Sequence, residues 1–132
     1  MQIIVFSEKN YNLSCIAAGF LHSFEPKADV VVVALSQSNP HSLIDTLKKE
    51  ACINYNELPL QMIETTDLKD VDMLITLNKT TENIEVFRNV PQQIHLQFDD
   101  SALEGNEFEA LRKLRDVIKN EMYIIYRDRI RK

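Results

Sequence analysis

Ile3, Ile4, Val5 and Phe6 form an unbroken apolar run. A run without polar alternation suits a strand covered on both faces, as strands of a parallel sheet are. Ser7 to Asn12 is polar, and Leu13, Ile16, Ala17, Phe20, Leu21 and Phe24 then recur at helical spacing. A chain that passes straight from a buried strand into a helix leaves unpaired N–H groups at the positive end of the helix dipole. Anions bind at such ends. Ser7, Glu8, Lys9, Asn10, Tyr11, Asn12, Leu13 and Ser14 are therefore the candidate anion-binding loop.

The rest of the chain keeps alternating strand and helix. Asp29 to Leu35 is a second continuous apolar run, Ser36 to Asn39 a turn, and Pro40 stands where a helix reaching about Ala51 would begin. Leu43, Ile44 and Leu47 give that helix its apolar side. Cys52 to Glu64, interrupted by Pro59, reads as mostly loop with a short strand or helical turn. Thr66 or Asp67 starts another short helical turn, Val71 to Leu77 is a third strand, and Thr80 to Phe87 is a short helix with Thr81 as its cap. Gln93 to Phe98 is the fourth strand. The last helix is expected near Asn106, with Glu109 completing a capping box. Its expected buried face is Phe108, Leu111, Leu114, Val117, Ile118 and Met122, and RDRIRK closes it with charges that suit the dipole. This alternation predicts one α/β domain over residues 1–132. Its sheet should be doubly wound, four-stranded and parallel, with helices on both faces. Ligands of such sheets sit at the carboxyl ends of the strands near the switch point.

Composition narrows the function classes. The net charge of −5 argues against nucleic acid or an anionic membrane as the main partner. The first residues lack the basic segment and cleavage site of a signal peptide, and no apolar run approaches membrane-spanning length, so a cytoplasmic location is expected. Cys15 and Cys52 form no metal-ligand or redox motif and read as buried free thiols.

The segment Ser7 to Ser14 resembles the active-site loop of the low-molecular-weight protein tyrosine phosphatases and the related arsenate reductases. Their signature is a strand, then Cys-x-x-x-x-x-Arg-Ser, then a helix. Laid over this chain without a gap, the cysteine falls on Ser7, the arginine on Leu13 and the serine on Ser14. Asn10 matches an asparagine that braces the loop, and Lys9 stands where the family carries glycine. Phe98, Asp99, Asp100, Ser101 and Ala102 resemble the Phe-Asp-Asp-Pro-Ala of the reductases, with His95 adding to the likeness. The resemblance makes Asp100 the general acid and puts Ser101 in the place of proline. The same residues also read as a plain acidic turn before a helix. The thioredoxin-coupled reductases carry a cysteine directly after the third strand, where this chain has Asn78. The phosphatase branch often carries tyrosines directly after its aspartate-proline pair; none directly follows Asp100, and Tyr123 and Tyr126 lie in the last expected helix.

The resemblance therefore implies the fold while two residues of its chemistry are replaced. A cysteine thiol is ionised near neutral pH by loop N–H groups and a helix N-terminus, whereas a serine hydroxyl needs an adjacent base. No histidine falls in such a motif. Leu13 offers no donors in place of the planar guanidinium fork. The expectation is a non-catalytic binding or regulatory protein with at most weak anion binding after the first strand. A small anion or a protein is the expected partner, and no cofactor or metal is expected. The alternative is a weak or altered phosphatase or arsenate reductase that uses Asp100 and the loop amides.

Overall fold

The computed structural model describes residues 1–7, 11–34, 60–62, 68–78, 87–99, 101 and 107–131. The four expected strands are present as β1 (Gln2–Ser7), β2 (Asp29–Ala34), β4 (Met73–Leu77) and β5 (Gln92–Leu96). A three-residue strand, β3 (Leu60–Met62), extends the sheet to five in the order β3-β2-β1-β4-β5. It lies in the segment read as mostly loop and joins the outer edge of β2. Every pairing is parallel.

The central strands show why their sequences are continuous rather than alternating. All five residues of β4 are buried, as are Ile3 to Ser7 of β1. Ile3 and Val5 join one core with Val30, Val32, Met73, Ile75 and Leu77. Ile4 and Phe6 join another with Val31, Val33, Leu74 and Phe87 on the opposite face. Phe6 meets the Phe87 ring edge-on at 5.0 Å. Hydrogen bonds from Gln2 N–H to the Asp72 carboxylate (2.8 Å) and from Asp72 N–H to the Gln2 carbonyl (2.9 Å) fasten the start of β1 beside β4.

Both described α-helices, α1 (Tyr11–Phe24) and α2 (Phe108–Ile125), pack on the first of these faces. Helices expected over 40–51 and 80–86 and the turn at 66–67 lie outside the described residues. Phe87, the expected end of one of them, sits in a single 3₁₀ turn. Helix α1 is sandwiched between sheet and α2, so burial goes beyond its expected stripe: Asn12, Ser14 and Ala18 are buried too. Cys15, which forms no disulfide, is half-buried rather than fully buried. Cys52 lies outside the described residues.

Helix α2 departs from expectation in three places. It begins at Phe108 with Glu107 as its N-cap, and the Glu107 side chain makes no capping hydrogen bond. Asn106, the expected partner of Glu109 in a capping box, lies outside the described residues; Glu109 pairs with Arg112 at 3.2 Å, while the Arg112 guanidinium covers the Phe108 ring. Its buried residues are Leu111, Leu114, Ile118, Met122 and Ile125, whereas Val117 is 51% exposed. The buried set follows a narrow seam of three- and four-residue steps, and Val117 lies one residue off it. Arg127 and Arg129 of the tail fall beyond α2, in a π-helical turn over Tyr126–Ile130. Among the described residues no helix is long and apolar enough to cross a membrane.

The rotation of α2 is testable by paired truncations. Ile118→Ala should cost about 2–5 kcal/mol of unfolding free energy and Val117→Ala less than about 0.5 kcal/mol, read from urea melts. Equal losses would mean that a different stripe of α2 faces the core.

Candidate functional site

Strand β1 has β2 on one side and β4 on the other, so the connections leaving its neighbours diverge at its carboxyl end. Ser7 is the last residue of β1, in register with Ala34 of β2 and Leu77 of β4. It is 2% exposed. The chain re-emerges in the described residues at Tyr11, where α1 starts, so the N-terminus of α1 rises from the carboxyl edge of the sheet. This is the switch-point crevice at which ligands of open parallel sheets bind. Glu8, Lys9 and Asn10 lie outside the described residues.

Asn12, Leu13 and Ser14 lie in the first turns of α1. Asn12 is buried and hydrogen-bonded or otherwise engaged, as Ser7 is. Leu13 is wholly buried and belongs to the core shared by sheet, α1 and α2. It stands where the resemblance would place a phosphate-gripping arginine, yet it serves as a packing residue. Ser14 is also wholly buried, and its Oγ has no hydrogen-bond partner among the described residues. A buried hydroxyl left without a partner costs about 1–3 kcal/mol, so a group that bonds it adds stability.

The second candidate segment, after β5, is held by an interaction the sequence reading missed. Asn78, just past β4, has φ of 54°, the one positive φ among described non-glycine residues. Its N–H donates to the Leu96 carbonyl at 2.9 Å. Its side chain donates to the Phe98 carbonyl at 3.0 Å and accepts from Phe98 N–H at 2.6 Å. The sequence showed only that Asn78 is not a cysteine. Asparagine's tolerance of positive φ at a strand end was the available signal. Thr76 and His95 were missed in the same way. Thr76 Oγ1 lies 2.6 Å from His95 Nδ1, across a register that only the folded sheet reveals.

Asp100 lies outside the described residues. Its neighbour Asp99 is exposed, and its carboxylate accepts Ser101 N–H at 3.1 Å. Proline could not make that bond, so the Ser101 that replaces it closes the turn by a means of its own. Bonds from the Ser101 side chain and backbone hold the Asp99 carboxyl below its ordinary pKa. Phe98, Asp99 and Ser101 form one wall of a shallow cleft of about 370 Å³, with Lys113, Leu114 and Val117 of α2 on the other side. This geometry fits the acidic-turn reading of the segment. Among the described residues no cluster of three or more His, Cys, Asp or Glu side chains could hold a metal ion.

No protein-family model matches the sequence, and no curated protein matches it significantly. The fold, in contrast, matches solved structures over nearly the whole chain. An arsenate reductase in oxidized state superposes with a TM-score of 0.79 at 22% identity, covering 93% of this chain and 94% of that one. An arsenate reductase in the phosphate binding state gives 0.77 at 20%, covering 94% and 95%. YwlE arginine phosphatase, as a cysteine-to-serine mutant with a phosphorylated active-site serine, gives 0.65 at 16%, covering 98% of each chain. The chain thus has the low-molecular-weight phosphatase-like fold of the arsenate reductases, as the residue pattern implied.

The Asp99–Ser101 turn makes a pH prediction. Because folding lowers the Asp99 pKa, the small stability it contributes is present above the ordinary carboxylate range and is lost as pH falls through the lowered value. Ser101→Pro removes both bonds and should return the Asp99 pKa towards about 4, followed by carboxyl-carbon NMR titration. An unchanged titration would mean that Ser101 does not hold the carboxylate.

Proposed function

We propose that this chain is a non-catalytic binding or regulatory protein that holds a small anion weakly at the junction of β1 and α1. The observation that carries this reading is Ser14 Oγ, wholly buried, without a protein partner among the described residues, in the first turns of the helix that follows Ser7. The free N–H groups of a helix N-terminus favour an anion whatever the side chains are. Weakness follows from Leu13. The loss of a charge-assisted bidentate contact takes away bonds worth roughly 1.5–3 kcal/mol each, which moves a micromolar site to about millimolar or weaker. The absence of catalysis follows from Ser7, whose hydroxyl is not ionised by a helix N-terminus as a thiol is. The fold neighbour solved in a phosphate binding state supports the choice of an oxyanion.

A second reading is favoured by one comparison. In the YwlE mutant the active-site serine carries a phosphoryl group. By analogy, Ser7 would accept a phosphoryl group and keep it. The Ser7 Oγ–P bond forms, the bond from phosphorus to the leaving group breaks, and the hydroxyl proton passes to the leaving group. An acid such as Asp100 would assist that departure, as the enzyme alternative supposes.

One experiment separates the three outcomes. The protein is incubated with an aryl phosphate, and both released phenol and intact protein mass are followed. The proposed function predicts neither product above blank nor a mass change, and no thiol-dependent arsenate reduction. One phenol per protein together with one added phosphoryl group, lost in Ser7→Ala, would establish the second reading. Sustained turnover abolished by Asp100→Ala would overturn the binding role in favour of an enzyme.

A further inference from the structure

At the carboxyl edge of the sheet, Asn78 makes a polar contact that the anion site does not use. Asn78 ends β4, directly after Leu77, the register partner of Ser7. Its amide group meets both backbone groups of Phe98, accepting from N–H at 2.6 Å and donating to C=O at 3.0 Å. A side-chain amide used this way replaces a strand partner: it continues the β4–β5 ladder, whose last register pair is Leu77 with Leu96, by one further rung. The backbone at Asn78 is turned to positive φ, a conformation asparagine tolerates and most residues do not. The Phe98 side chain, partly buried, packs on the core shared with α1 and α2. Asp99 follows immediately.

We infer that Asn78 is the positioning residue of the acidic segment, a latch that fixes Phe98, and Asp99 directly after it, at the carboxyl edge beside the end of β4. The latch stands whether or not an anion binds at the Ser7–Ser14 junction. It decides where the acidic turn sits relative to that junction. A segment leaving the end of an edge strand has no ladder of its own, since β5 is paired on one side only. Without the Asn78 amide, the Phe98 N–H and C=O would lose these partners, and, among the contacts described, the Phe98 ring and the Ser101 bond would be left to restrain the turn.

Three variants at one position test this by amide hydrogen exchange. Asn78→Gly keeps positive φ at no steric cost and removes only the side-chain bonds. The Phe98 amide should then exchange roughly tenfold faster or more, while amides of β1, β4 and α2 keep their wild-type rates. Asn78→Asp keeps the acceptor for Phe98 N–H but sets an oxygen where the amide donated to the Phe98 carbonyl, so at neutral pH its Phe98 exchange should lie between wild type and Asn78→Gly. Asn78→Ala loses the bonds and opposes positive φ, so it should show the same local loss with some global destabilisation. The inference is overturned if Phe98 exchange is unchanged in Asn78→Gly. It is equally overturned if all core amides accelerate together in that variant, or if Asn78→Asp exchanges as fast as Asn78→Gly. The last two results would make Asn78 a residue of general stability or of backbone shape.

Discussion

Everything at the candidate site depends on the burial of β1 on both faces. Its inward residues on one side pack under α1 and α2, and those on the other side join the Phe87 core. A strand so enclosed can end only at the edges of the sheet. The chain must turn at Ser7 and rise into α1, whose first turns are buried in the same act. The helix N-terminus, the Ser14 hydroxyl and the end of β1 are thus brought together by packing alone, and the junction persists whatever residues occupy it.

Leu13 shows how one position can serve either the core or the chemistry. As leucine it is wholly buried with residues of the sheet and both helices, a burial worth about 1.5–3 kcal/mol. An arginine there would have to reach the crevice with its guanidinium and keep it solvated or paired, because a buried unpaired charge is far more costly than a buried methyl group. The chain has the packed form. Ser7 shows the complementary case: an oxygen in the nucleophile's place remains compatible with the fold and with hydrogen bonding, but not with thiolate chemistry. Leu13 and Ser7 together are the grounds on which we propose a cradle whose reactive parts have been exchanged.

The parts of this structure that follow periodic hydrophobicity were legible in the sequence, because continuous runs such as Asp29–Ala34 have few other ways to be buried. β3 was legible only as one of two readings, a short strand or a helical turn, since three residues at a sheet edge carry no period and depend on the partner strand. Val117 was misread because an apolar residue beside a helical stripe looks like part of it until the rotation of α2 is fixed. The junction at Ser7 was legible as the end of a strand followed shortly by a helix. Asn78 was not, because its partners lie twenty residues away and only the parallel β4–β5 register brings them together. The replacement of proline by Ser101 looked like a loss, whereas its N–H supplies a bond to Asp99 that proline lacks.

The central claim is that the junction of β1 and α1 still attracts an oxyanion without the residues that act on one. The direct measurement is an NMR titration of the wild-type protein with inorganic phosphate, following the backbone amides of Asn12, Leu13 and Ser14 at constant ionic strength. The account predicts saturable shifts confined to the start of α1, with an apparent Kd of about millimolar or weaker. Amides that stay unmoved through tens of millimolar phosphate, or that shift no more than those of α2, would contradict it. The fold would then have kept the junction without its affinity for anions.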